Sequence, residues 1–409
     1  MGVEAASAAA ARHPIADAPP ARAPARVVLA LALAQTLVWA GGFYVFPALL
    51  ATWHAELGWS KATLSAAFTG ALLVAAAASP LAGRLVDRGH GRALLALSAT
   101  GVGLGLLVLS RVTTPWAFAL VWALIGLALA GALYDACFSF VTHRFAHDAR
   151  RVITRITLVA GFAGTLAFPT AAWTASAVGW RGSLVVFAVL ILAVAVPLVW
   201  SVGAETARPS SARRRAGAAG AKRTLARPAF WGLTLAFALT ALVQGMVVTH
   251  LLPILADRGV AAGAAVLAAA CIGPMQVVGR LAMMAVERQL AVAGVALAML
   301  ALVLAGLAAL WLASAAPALV AVFVLLHGAG YGVYSIVRPV LTAEVLGREG
   351  FGVVHGTMAT ATIVATATAP SLAALIQQVG GYDLVLVAAI AAILTGLAAL
   401  VAALRSAAR

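Results

Sequence analysis

Few side chains in this sequence could bind or move charge, and the clearest of them stand inside long apolar stretches. Arg280 follows Gly273-Pro274-Met275-Gln276-Val277-Val278-Gly279, and Asp135 lies between Tyr134 and Ala136-Cys137. Ionisable groups at membrane depth are costly and tend to serve a function. A planar guanidinium there can hold a carboxylate by two parallel hydrogen bonds, or it can snorkel to the interface. An acid there can carry a proton, or it can face an aqueous vestibule. Counted from the same ends of their stretches, Asp135 and Arg280 fall at comparable depth. One arrangement is therefore a pair that alternates between mutual contact and substrate or proton. His250, His327 and His355 also sit at apolar segments. None has the short helical spacing of a local metal site, so no metal is expected. Tyr44, Gln244, His327 and Tyr334 are further polar handles for a substrate.

A second charged group is the turn Gly83-Arg84-Leu85-Val86-Asp87-Arg88-Gly89-His90-Gly91-Arg92. Residues 62–82 and 93–110 on either side carry no charge. Arg84, Arg88 and Arg92 recur every four residues around Asp87, so the acid and the cations are expected to meet each other or water. Gly83 and Gly91 allow helix ends to approach closely.

These groups must be positioned by membrane-spanning helices. The chain of 409 residues is 64% hydrophobic and 10% charged, against about a quarter charged in soluble proteins. Apolar runs long enough to span recur throughout. They are expected at 27–50, 61–83, 93–111, 116–141, 152–176, 182–203, 228–252, 262–285, 290–313, 317–340, 352–376 and 383–404. The expected fold is thus all-α and polytopic, with twelve transmembrane helices. The formal charge of +15 does not point to nucleic acid, because the cations cluster in alternate loops. With the N-terminus inside, 21 of the 27 Lys and Arg residues fall on the cytoplasmic side. Lys61, Arg111, Arg181 and Arg258 fall outside, and Arg280 and Arg338 lie near or within spans. Both termini are therefore expected in the cytoplasm, the membrane being an inner or plasma membrane.

Residues 1–26, rich in Ala and Pro, read as a disordered cytoplasmic leader without the apolar core of a signal peptide. Residues 204–227 read as a basic linker dividing the chain into six-helix bundles at 27–203 and 228–405. The halves look repeated. Pro169 and Pro370 lie 201 residues apart, as do Phe145 and Leu346, which close two spans. Pro169 and Pro370 are read as kinks in gating helices. Cys137 and Cys271 read as small buried hydrophobes, with no disulfide framework. No phosphate-cradling Gly-Lys-Ser/Thr loop is present, which disfavours an ATP-driven pump. No catalytic set or cofactor site appears, so an enzyme is not expected. The expected partners are a small-molecule substrate, a proton or counter-ion and the lipid bilayer, around a monomer.

The stretch Gly83-Arg84-Leu85-Val86-Asp87-Arg88 to Gly91-Arg92 resembles the signature loop of the major facilitator superfamily. Leu57-Gly58-Trp59-Ser60, Gly179-Trp180-Arg181, Gly41-Gly42-Phe43 and Gly330-Tyr331-Gly332 to Glu344-Val345-Leu346-Gly347 are similar to its bacterial monocarboxylate and oxalate–formate-like branch. The resemblance covers residues 27–405. It implies two six-helix bundles rocking about a central cavity lined by helices one, four, seven and ten. It also implies that Asp87 braces the cytoplasmic face in the outward-open state, and that Arg280 anchors a substrate anion from helix eight. One departure is Gln276, which stands where some members carry an acid and cannot carry a proton. The function implied is secondary-active transport of a mono- or dicarboxylate, coupled to protons or a counter-anion. The alternatives are export of drugs or other amphipathic solutes through a mostly apolar cavity, and a non-transporting membrane sensor. The short, featureless tails and linker weigh against the sensor.

Overall fold

Apolar runs punctuated by glycine and short charged turns fold here as long helices laid back and forth. The structure, a computed structural model, describes residues 23–145, 148–203, 211–286 and 289–407. Most of the expected leader and the first part of the linker lie outside the described residues. Among the described residues, nine helical stretches are apolar and long enough to cross a membrane, and three of them run 48, 53 and 57 residues. Those three each double back at a glycine of positive φ: Gly89 at 81°, Gly179 at 74° and Gly381 at 67°. Only glycine adopts that conformation without a Cβ clash. The nine stretches therefore make twelve crossings.

The twelve are α1 (Ala25–Leu57), α2 (Lys61–Leu85), α3 (Gly91–Leu109), α4 (Pro115–Arg144), α5 (149–178), α6 (180–201), α7 (Pro228–Asp257), α8 (Ala262–Val286), α9 (Val292–Trp311), α10 (Leu319–Leu346), α11 (351–379) and α12 (382–407). Several outrun the expected spans, α7 by five residues at its end and α10 by six. Hydropathy marks the hydrocarbon-deep part of a helix, whereas backbone hydrogen bonding carries the helix on through the interface. Part of the linker is itself a helix, Ser211–Leu225, which meets the start of α11 at the Asp87 end of the molecule: Gly350 backs onto Gly217 and Ala221. Leu97, Trp116, Trp173 and Leu267 point outward, each well exposed. Side chains of this kind belong against lipid rather than water.

Two local distortions shape the middle of the bundle. Helix α1 passes through a π turn at Ala40–Tyr44, an insertion often found at functional positions. Helix α4 breaks at Leu133, whose backbone is extended (φ −87°, ψ −172°), and restarts at Tyr134 with Asp135 in its first turn. The break leaves the Ala132 carbonyl without its helical donor, and the buried Gln35 side chain supplies one through Nε2 at 2.8 Å. Replacing Gln35 with Leu should strand that carbonyl, at a cost of about 1–3 kcal/mol. The midpoint of thermal unfolding should fall accordingly; an unchanged midpoint would show that the break holds without Gln35.

Candidate functional site

Arg280 of α8 is 7% exposed, and no carboxylate neutralises it among the described residues. Its Nε donates to the Gly332 carbonyl of α10 at 2.9 Å, and its Nη1 donates to the Thr157 carbonyl of α5 at 3.0 Å. A Cβ on Gly161 would strike Nη1. Two backbone carbonyls thus aim the guanidinium across the boundary between the chain's halves without cancelling its charge. The phenols of Tyr44, Tyr134 and Tyr331 lie within its electrostatic reach. Tyr44 closes the π turn of α1, so that distortion helps bring it to the site. Tyr134 packs against Trp39 with ring centres 4.8 Å apart and stacks on Phe138 at 4.7 Å. The result is one uncompensated cation among phenols and aromatic walls.

Asp135 does not pair with Arg280. Its Oδ1 accepts from Arg338 Nη2 of α10 at 2.5 Å, and His355 Nε2 of α11 lies 3.3 Å from the same oxygen. Arg338 also donates through Nη1 to Thr362 of α11 at 2.8 Å, and its guanidinium lies over the Tyr334 ring. His355 is fully buried and stacks on Phe351, with planes 9° apart. The expected Asp135–Arg280 pair is corrected by geometry: comparable depth did not place the two groups on facing surfaces, and α10 presents its own arginine to the acid. This second site also joins the two halves, because Asp135 comes from α4 and its partners from α10 and α11.

The Asp87 carboxylate accepts three hydrogen bonds. The backbone N–H groups of Gly352 and Val353, in the first turn of α11, donate at 2.7 and 2.9 Å, and His143 of α4 donates at 2.7 Å. A carboxylate on free N–H groups at a helix start is favoured by the helix dipole as well. The expectation that arginines of the same turn surround Asp87 is therefore corrected. Arg92 instead lies over the Trp200 ring, 4.9 Å away, and reaches its carbonyl. None of Arg84, Arg88 and Arg92 is a partner of Asp87, whose carboxylate is taken up by the start of α11 and by His143. Gly83 touches the Gly352 backbone, and the Gly356 backbone faces Ser79. Thr360 of α11 donates to the Ala76 carbonyl of α2 at 2.6 Å. Helices α2 and α11 are in backbone contact at this end. Gly91 begins α3, and the left-handed residue of the turn is Gly89.

The remaining expected site residues lie elsewhere. His327 is fully buried and donates through Nε2 to Gln244 at 2.7 Å. Its backbone lies against Gly306 of α9, so the pair fills the inside of one half rather than the Arg280 site. Tyr334 donates to the Phe237 carbonyl at 3.1 Å and stacks on Tyr331. His250 donates to the Pro370 carbonyl at 3.1 Å. Pro169 and Pro370 both lie inside helices rather than at their ends. Most α11 threonines bond their own helix; Thr360 and Thr362 also bridge to other helices.

Sequence reading did not single out Arg338, His355, Thr362, Tyr331 or His143 for these roles. One signal was available: Tyr331, Tyr334 and Arg338 follow helical spacing along one face of an otherwise apolar span.

Residues 31–309, more than half of the chain, match the family described as the Major Facilitator Superfamily. No match was found among characterised protein sequences. The fold is similar to two solved structures. The human organic anion transporter MFSD10 (TETRAN) is 14% identical with a TM-score of 0.70, over 92% of this chain and 99% of that one. The E. coli fucose:proton symporter FucP is 14% identical with a TM-score of 0.72, over 93% of this chain and 99% of that one. On the family match and the twelve-helix fold, this multi-pass membrane chain belongs to the Major Facilitator Superfamily.

Proposed function

We propose that the protein is a secondary-active transporter of a small organic anion, a mono- or dicarboxylate, working by alternating access. The observation that carries this reading is Arg280: a buried guanidinium held by two backbone carbonyls, with no counter-charge among the described residues. A charge so placed is expensive unless an anion meets it, and a carboxylate matches the planar fork of donors. Tyr44 and Tyr134 would supply hydroxyls to the same ligand, with Tyr331 beside them. Asp135, engaged with Arg338 and His355, is the proposed coupling group, since protonating it would release both partners. The Asp87 contacts are the proposed latch at the cytoplasmic face. This orientation, with both termini inside an inner or plasma membrane, rests on the loop cations. The resemblance to the bacterial monocarboxylate and oxalate–formate-like branch supports the same substrate class.

A second reading, export of amphipathic solutes, is favoured by the aromatic wall of Trp39, Phe43, Tyr44 and Tyr134. Thermal stabilisation of the purified protein separates the two. Small carboxylates should stabilise the wild type by mass action, by about 2.7 kcal/mol at a hundredfold excess over Kd, and so raise its melting temperature, and should not stabilise Arg280→Gln. Stabilisation by lipophilic cations alone, unaffected by Arg280→Gln, would replace the anion reading with the exporter.

A further inference from the structure

At the end of the molecule opposite Asp87, where α7 and α9 stop and α11 turns into α12, a cleft of about 580 Å³ opens between them. Its charged lining residues are Arg258 and Asp383, and its apolar walls include Trp311, Leu312, Leu384 and Val387. Arg258 is 8% exposed. Its Nη2 donates to Asp383 Oδ1 at 2.5 Å, its buried Nε has no acceptor, and no other acceptor meets this guanidinium among the described residues. A guanidinium carries five N–H donors, and buried donors need acceptors. Asp383 is bound at one oxygen, and its side chain is 67% exposed. The site therefore combines a cation short of acceptors, an exposed carboxylate beside it and apolar walls that are themselves exposed. It sits where membrane helices end, at the level of lipid headgroups, a level at which tryptophan is favoured.

We propose that this cleft binds the headgroup of a phospholipid carrying a phosphate and a primary ammonium. The phosphate would take the unused N–H donors of Arg258, and the ammonium would meet the Asp383 carboxylate. The acyl chains would lie along Trp311, Leu312, Leu384 and Val387. A free phosphate would satisfy the guanidinium but would leave the apolar walls exposed. Because Arg258 closes α7 and Asp383 opens α12, the lipid would clamp these helix ends to that of α9. This site is separate from the Arg280 site.

The test is retention of lipid by the full-length, detergent-purified protein, read by native mass spectrometry. The protein is supplied with phosphatidylethanolamine, phosphatidylcholine or phosphatidylglycerol, with and without excess inorganic phosphate. Phosphatidylethanolamine should be retained in preference to the other two, and inorganic phosphate should not displace it. Arg258→Gln should lower its retention about tenfold, the loss expected for one charge-assisted contact. Asp383→Asn, which keeps an oxygen for Arg258 at a side chain 67% exposed, should abolish the preference over phosphatidylglycerol while the protein stays monodisperse. Equal retention by wild type and Asp383→Asn, equal retention of all three lipids, or displacement by inorganic phosphate would each overturn the proposal.

Discussion

Replacing Arg338 with Met is expected to destabilise the protein more than replacing its partner, Asp135→Asn, and to abolish transport. Arg338 Nη2 and Asp135 Oδ1 are 2.5 Å apart, and the arginine side chain is 8% exposed. Removing the cation leaves an anion in the middle of the bundle with only His355 beside it, 3.3 Å away. Breaking a buried pair from one side costs about 3–5 kcal/mol, because the remaining charge is unpaired. The lower end applies here, since the Asp135 side chain is 20% exposed and partly screened by water. Asp135→Asn leaves the Arg338 charge without a counter-ion but keeps an amide oxygen where the carboxylate accepted, and Arg338 keeps its bond to Thr362. The double variant, Asp135→Asn with Arg338→Met, should therefore recover much of the stability lost in Arg338→Met, as neither charge remains. Thermal unfolding of all four proteins gives the coupling directly, and additive losses would show that the pair contributes nothing as a pair. Transport gives the second readout. Both single variants should lose uptake driven by a pH gradient, and uptake persisting in Asp135→Asn would remove the proton role from this residue.

Gly83→Val is expected to prevent α2 and α11 from closing at the Asp87 end. A Cβ at Gly83 would overlap the Gly352 carbonyl, and one at Gly352 would overlap the Gly83 carbonyl. These obstacles are backbone, which cannot rotate away like a side chain. Overpacking of this kind costs about 1–3 kcal/mol in the state that contains the contact. In a two-state transporter that amounts to roughly a 5- to 150-fold shift in population. The shift can be read at Ser79, which is buried where α2 faces Gly356. A cysteine placed there, with Cys137 and Cys271 replaced, should react with a soluble maleimide much faster when Gly83→Val is added. Unchanged labelling with normal transport would mean that the contact is dispensable. Asp87→Asn attacks the same closure more gently. Its three donors, the N–H groups of Gly352 and Val353 and the His143 ring, would meet an amide that has its own N–H groups to place. Transport should fall while insertion into the membrane is preserved.

The Asp87 contacts and the Asp135 site share two helices. Helix α4 carries Asp135 and, two turns on, His143, which reaches Asp87. Helix α11 carries the two N–H groups that bind Asp87 and, within a turn, His355 beside Asp135. Two rigid elements thus bridge the same two carboxylates.

Much of this was legible from residue order. Apolar runs of membrane length separated by charged turns dictate spanning helices, because a backbone in lipid must satisfy its own hydrogen bonds. The loop cations point to an orientation, and the Asp87 turn carries the resemblance to the family. Arg280 could be singled out because charge is rare and costly inside a span. What residue order could not supply was who faces whom. Asp135 and Arg280 count to comparable depth, yet the azimuth of each helix decides pairing, and azimuth depends on the break at Leu133, the π turn at Ala40–Tyr44 and the close backbone contacts between helices. A shift of one residue rotates a helical side chain by about 100°, so such a local distortion can exchange a partner. Composition and periodicity by themselves determined a twelve-helix membrane protein with a basic hinge turn and a few intramembrane charges. The tertiary structure alone decided that Arg338 and His355 meet Asp135, that Arg280 is held by two backbone carbonyls, and that Asp87 is held by the start of α11. Each of those outcomes depends on side chains far apart in sequence being brought within hydrogen-bond distance.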